Sequence, residues 1–195
     1  MDIGLFGGSF NPPHIAHLVV AEVVRDQFGL DKVWWIPNST PPHKPEEELV
    51  AVKHRVAMTR RTIESNPTFR VCGIEVQREG VSYTVETLRV LQEEHTDTDF
   101  ALIIGSDSLD HFAEWHRPDE IAERVPIIVY KRPGAIESVA EPRFANQVRY
   151  AAAPVVEVSG TEIRARRRAG RSIRHLVPED VRTYIEAHDL YRDDE

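Results

Sequence analysis

The chain has 195 residues, 41% of them hydrophobic and 29% charged, with 24 Lys and Arg against 32 Asp and Glu for a net charge of −8. That length supports one full domain with a real core, and the acidic balance argues against a protein that coats nucleic acid or an anionic membrane. No apolar run reaches the ~18 residues of a membrane span, no secretory leader is expected, and the single cysteine, Cys72, fits a reducing, cytoplasmic setting.

In chain order, short apolar runs alternate with amphipathic stretches, the pattern of a parallel sheet covered by helices on both faces. Strands are predicted over 2–6, 32–36, 69–76, 100–104 and 126–131, with a shorter one around 155–158. A helix is predicted from His14 to Phe28, where Ile15, Leu18, Val19, Glu22 and Val23 follow helical spacing and Gly29 supplies a stop. Residues 50–65, 83–95 and 106–114 are predicted as further helices. Pro178 opens a last one that runs to His188, with Val181, Tyr184 and Ile185 on one stripe. No repeat and no Gly/Ser linker divides the chain, so one domain over 1–195 is expected.

Three loops follow predicted strands: Gly7 to Pro13, the proline-rich Pro37 to Pro45, and Gly105-Ser106-Asp107. They share the carboxyl edge of the sheet, where open α/β sheets bind ligands. The first is the most informative. It runs Gly7-Gly8-Ser9-Phe10-Asn11-Pro12-Pro13 and leads into a helix whose first turn carries His14 and His17. Residues three apart share a helix face, and unpaired N–H groups and the positive end of the dipole lie at that end. The loop is neither the G-x-G-x-x-G fingerprint nor a P-loop, yet a strand, a glycine turn and two imidazoles at a helix start are suited to phosphate. Zinc is disfavoured, since His-x-x-His alone supplies too few ligands.

A second helix start lies at Ser159-Gly160-Thr161-Glu162, a capping-box pattern, with Arg164 on the first turns. The arginines that follow, Arg166, Arg167, Arg168, Arg171 and Arg174, form a solvated face; no interleaved aromatics mark a nucleic-acid patch.

These segments together resemble the nucleotidyltransferases with an (H/T)-x-G-H signature and, more closely, the bacterial nicotinate-nucleotide adenylyltransferase family. The matching pieces are GGSFNPPHIAH (7–17), PPHK (41–44), HRVAM (54–58), SYTVETL (82–88), GSDSL…W (105–115), KRPG (131–134), VSGTEIR (158–164) and LVPEDVRTYI…LY at the end. Two positions depart: Ala16 stands where the signature has glycine, and Gly160 where serine is frequent.

The resemblance implies a Rossmann-like, doubly wound α/β fold with a C-terminal helical segment. It also implies transfer of the adenylyl group of ATP to nicotinate mononucleotide with release of pyrophosphate. His14, His17 and Arg164 would be catalytic, and Gly7, Gly8, Ser9, Phe10, Gly105, Ser159 and Thr161 would join them in holding ATP with its Mg²⁺; no metal site of the protein's own is expected. Lys44, Thr84, Asp107, Trp115 and the backbone near His116 would hold the mononucleotide, with the Trp115 indole stacked on the pyridine. Trp34 and Trp35 are read as structural, and His43 and His54 are left unassigned. Rival readings are an adenylyltransferase for nicotinamide mononucleotide or another phosphorylated substrate, and a nucleotide sensor without catalysis. Oligomeric state is left open, a homo-oligomer included.

Overall fold

The computed structural model describes residues 1–39, 49–78, 81–132, 134 and 139–192. Six strands pair in parallel: β1 (Asp2–Gly8), β2 (Lys32–Pro37), β3 (Phe69–Val71), β4 (Asp99–Gly105), β5 (Ile127–Tyr130) and β6 (Val148–Ala151), in the order β3-β2-β1-β4-β5-β6. That order reverses between β1 and β4, the two central strands, and so creates a crevice beyond their carboxyl ends. The helices are α1 (Ile15–Gln27), α2 (Val52–Ile63), α3 (Ile74–Gln77), α4 (Thr84–Glu94), α5 (Ser106–Asp110), α6 (Pro118–Arg124), α7 (Gly160–Arg168) and α8 (Glu179–Ala187).

Side chains alternate along each strand and build a core on either face. Ile3, Leu5, Trp34, Ile36, Leu102 and Ile104 pack on one side with α4 residues Val85, Leu88 and Leu91. Phe6, Val33, Trp35, Ala101 and Ile103 pack on the other with Val20, Ala21 and Val24 of α1. The adjacent tryptophans therefore serve opposite cores, as a structural pair should. Gly29, at φ +64°, ends α1 in the left-handed region where a side chain would be strained. A third cluster joins Met58 of α2 to Ile163 of α7 and to Val181 and Ile185 of α8, so the C-terminal helices dock on the body of the domain.

Several boundaries differ from expectation. The predicted strand at 69–76 stops at Val71, and Ile74–Gln77 turns into a helix. No strand forms at 155–158; the sixth is Val148–Ala151, whose Arg149 and Tyr150 are exposed on a sheet edge. Edge strands tolerate polar residues that mask their alternation. The predicted 106–114 helix is α5 followed by a short 3₁₀ turn at Phe112–Glu114, and α6 is an additional helix with Pro118 in its first turn.

Candidate active site

The loop after β1 leads directly into α1, whose N-cap is His14. The His14 backbone N–H donates to His17 Nδ1 at 3.1 Å, and the two imidazoles stack with centroids 3.7 Å apart. Accepting that bond leaves Nδ1 of His17 unprotonated, so the ring is neutral and carries its proton on Nε2. Phe6, Phe10 and Trp35 surround the His17 ring edge-on and fix its orientation. His14 is buried, at 3% exposure, and its Nδ1 has no hydrogen-bond partner. Burial, reinforced by the Arg132 charge, lowers its pKa to about 3, so the ring is neutral at physiological pH. The pair thus presents neutral imidazoles rather than cationic charge.

The α1 N-terminus is less open than the sequence implies. Ile15 N–H donates to the Leu176 carbonyl at 3.1 Å and His17 N–H to the His14 carbonyl at 3.0 Å. Ala16 N–H has no partner among the described residues, and Ala16 lines a small cleft with His14, His17, Tyr130, Lys131 and Arg132. Val158, at the approach to α7, closes the same cleft.

The start of α7 packs on the loop that leads into α1. Ser159 Oγ accepts from Glu162 N–H at 3.1 Å, the expected cap. Arg164 reaches back to that loop: Nη1 donates to the Asn11 carbonyl at 2.9 Å and Nη2 to Thr161 Oγ1 at 3.4 Å. A Cβ at Gly160 would lie 3.0 Å from that Asn11 carbonyl and 3.4 Å from Arg164 Nη1, so glycine permits the close approach of the α7 start to the loop before α1.

The remaining predicted residues fall as follows. Gly7 faces open space, and Gly8 packs on the Phe10 ring. Phe10 itself is a core residue, its ring buried, so a ligand at this loop would meet its backbone. The Ser9 carbonyl accepts from Arg55. Gly105 caps α5 beneath Asp107 and Arg132, which pair at 2.6 Å. Thr84 opens α4, whose N-cap Tyr83 stacks at 4.4 Å on the exposed His116 ring. Trp115 ends the 3₁₀ turn, half-buried against Phe112 at 5.4 Å between centroids. Lys44 and His43 lie outside the described residues. His54 is elsewhere: its Nδ1 is 3.0 Å from the Tyr184 hydroxyl, beside an open groove of about 670 Å³ between α2 and α8. Among the described residues no group of three or more His, Cys, Asp or Glu is placed to hold a metal.

Four partners were not singled out from sequence: Asn11, Arg55, Arg132 and Tyr191. Asn11 ties the loop to three elements, accepting from Arg164 through its carbonyl, from the Tyr191 hydroxyl at 2.8 Å and from Val50 N–H at 3.4 Å. Arg55 and Arg132 sit inside the HRVAM and KRPG segments, but a linear pattern does not distinguish a buried arginine from a solvated one.

A cytidylyltransferase-like family model matches residues 5–166, most of the chain. A probable nicotinate-nucleotide adenylyltransferase of Salinibacter ruber is 82% identical over 192 residues, covering 98% of each chain. The chain belongs to the nicotinate-nucleotide adenylyltransferases. The nicotinate-nucleotide adenylyltransferase of Bacillus subtilis is 38% identical over 97% of both chains. In fold, it matches a Plasmodium falciparum nicotinic acid mononucleotide adenylyltransferase complexed with NaAD, at TM-score 0.77 and 17% identity over 97% of each chain. The same Plasmodium protein complexed with APC matches at TM-score 0.76 and 16% identity, over 97% of this chain and 96% of that one. Membership in this family makes the chain an enzyme of the nucleotidyltransferase class, and its Rossmann-like parallel sheet is the fold those structures share.

Proposed function

We infer that the protein transfers the adenylyl group of ATP to nicotinate mononucleotide, forming nicotinate adenine dinucleotide and pyrophosphate in the synthesis of NAD. The observation that carries this reading is the meeting of two helix starts at one loop: His14 and His17 stack at the start of α1, and Arg164 of α7 donates to the Asn11 carbonyl just before them. Near-full-length similarity to relatives named for that activity supports it.

The reaction needs no side-chain nucleophile. A phosphate monoester is largely dianionic at neutral pH, its second pKa lying near ~6. One of its oxygens attacks the α-phosphorus, and the bond to the β-phosphate oxygen breaks with its electron pair leaving on pyrophosphate. The protein must align two anions and stabilise the charge that develops. His17 Nε2–H is the donor set toward that charge, with the Ala16 N–H beside it and His14 as the neighbouring contact on the triphosphate. Arg164, fixed by Asn11 and Thr161, supplies cationic charge from the opposite side. Ala16 adds a methyl to the cleft without removing the backbone donor, and Gly160 exchanges a hydroxyl for room.

Mg²⁺ arrives with the triphosphate and would screen its charge; the donors assembled here are imidazoles, N–H groups and a guanidinium, which suit phosphate oxygens rather than a cation. Thr84 at the start of α4, with Trp115 and His116, forms the side assigned to the pyridine and its carboxylate. Asp107 is offered as a ribose-hydroxyl acceptor, and Lys44 as a further phosphate contact. The free thiol of half-buried Cys72 accords with a cytoplasmic setting, and no described helix is long and apolar enough to cross a membrane.

Pyrophosphate release from ATP, measured side by side with nicotinate and nicotinamide mononucleotides, tests the reading. Faster turnover with the nicotinate form is expected. Equal or faster turnover with the amide would reassign the substrate, and ATP binding without turnover on any mononucleotide would make the protein a sensor.

A further inference from the structure

Leu190 and Tyr191 follow α8 and fold back into the apolar cluster that joins Met58 of α2, Ile163 of α7 and Val181 and Ile185 of α8. Asp189 and Tyr191 hold φ at +47° and +61°, a left-handed backbone that residues with a Cβ rarely adopt. Such conformations persist where the surroundings over-determine them, and they collect at functional sites. Packing alone does not ask for a tyrosine here. In an apolar cluster Phe would fill the same space, and a buried hydroxyl is costly unless it is bonded. The Tyr191 hydroxyl donates out of the cluster to Asn11 Oδ1 at 2.8 Å, 180 residues back along the chain. Burial pushes its pKa above the ordinary tyrosine value, so it keeps its proton through the neutral range.

Asn11 lies in the turn where this cluster meets the histidines. Its Oδ1 also accepts from Val50 N–H at 3.4 Å; a backbone N–H can only donate, so the amide presents its oxygen to both partners. Tyr191 gives the shorter of these two bonds. The Asn11 main-chain carbonyl accepts from Arg164 Nη1 at 2.9 Å, and Arg164 adjoins Ile163 of the cluster. On the other side of His14, Ile15 N–H donates to the carbonyl of Leu176, a residue that packs on the same cluster. Residues 11–15 are thus tied at both ends to one apolar body, with His14 between the ties.

We propose that Tyr191 is a positioning residue for adenylyl transfer: its hydroxyl locks Asn11, and Asn11 sets both the turn that carries His14 and His17 and the carbonyl that holds Arg164. The inference rests on the adenylyl-transfer reading and adds a residue that acts at one remove from the phosphates. In-line transfer tolerates little error in the groups around it, and about 1 Å of misplacement can cost up to ~100-fold in rate. Removing the hydroxyl leaves the ring in the cluster and leaves Oδ1 with its longer bond, so the turn loosens while the fold stands.

The test compares the wild type with Tyr191→Phe, Asn11→Ala, the double variant Tyr191→Phe/Asn11→Ala and Leu190→Ala. For each protein, kcat, both KM values and Tm are measured with ATP and nicotinate mononucleotide. Leu190 lies in the same cluster, and its N–H donates to the Ile185 carbonyl of α8, so Leu190→Ala reports loss of packing. Tyr191→Phe is expected to lower kcat about tenfold with the KM for ATP within about twofold. Asn11→Ala should lose at least as much, and adding Tyr191→Phe to it should change kcat by less than about twofold, because the hydroxyl acts through that one amide. Leu190→Ala should lower Tm further than Tyr191→Phe does, yet keep kcat within about threefold of wild type. Unchanged kcat in Tyr191→Phe would overturn the proposal, as would losses that multiply in the double variant. A Leu190→Ala kcat that falls as far as that of Tyr191→Phe would overturn it too. Because the wild type is assayed alongside, its own lack of turnover would mark failure of the functional reading; normal wild-type turnover with an unaffected Tyr191→Phe sinks the positioning role alone.

Discussion

The helix starts at α1 and α7 meet at the loop after β1 but are finished in opposite ways. At α7 the cap is ordinary: Ser159 Oγ takes the Glu162 N–H, and Glu162 places an acid in the first turn. That helix neutralises its own positive end and contributes through a side chain, Arg164. At α1 no acid lies in the first turn and no hydroxyl caps the helix; an imidazole at the third position accepts the N-cap N–H instead. The cap so formed places the His17 proton on Nε2. A helix start that satisfies itself gives stability, and one capped by a group with a second functional face gives a site.

The largest consequence of that difference should appear on removing that donor. His17→Ala is expected to lower kcat by at least about 100-fold, the scale of losing one oxyanion-type donor, in steady-state pyrophosphate release. Arg164→Lys keeps the charge but loses the fork that spans Asn11 and Thr161. A fall in kcat/KM of about tenfold is expected, and wild-type values in this variant would show that charge alone suffices.

His14 sharpens the comparison through pH. The folded protein lowers its pKa from 6.5 to about 3, so on acidification the unfolded chain takes up the proton first. The His14 contribution to stability is whole above pH 6.5 and is lost as pH falls toward about 3. Its slope is at most about 1.4 kcal/mol per pH unit, and urea unfolding across that range should show it flattened in His14→Asn. The smallest effect belongs to the self-satisfied end: Ser159→Ala should cost about 1 kcal/mol of stability, read as a lowered Tm.

Much of this was legible in the sequence because it rests on local signals. The strands from Asp2, Lys32 and Asp99 are apolar runs buried on both faces, and Gly29 and Ser159 mark a helix end and a helix start by chemistry that acts within four residues. What was not legible depends on pairing across the fold. Cys72, Ile74 and Val76 alternate like a strand, yet Gly73 caps a short helix there instead. Val148–Ala151 reads as polar because an edge strand exposes Arg149 and Tyr150. Within the predicted site, His14 and His17 stand in a recognisable motif and stack on one another, and Arg164 reaches the loop before them. Asn11 and Arg55 are defined by partners far along the chain, Arg164 and Tyr191 for one and the Ser9, Asn38 and Ser39 carbonyls for the other. No spacing rule reveals such contacts.

The central claim is that the two helix starts act on the same phosphates as one site. A double-mutant cycle of His17→Ala and Arg164→Ala on kcat/KM tests it most directly. Groups that work as a unit are strongly non-additive, so the double variant should be at least about tenfold more active than the product of the two single losses predicts. Losses that multiply would contradict the account and make α1 and α7 independent sites.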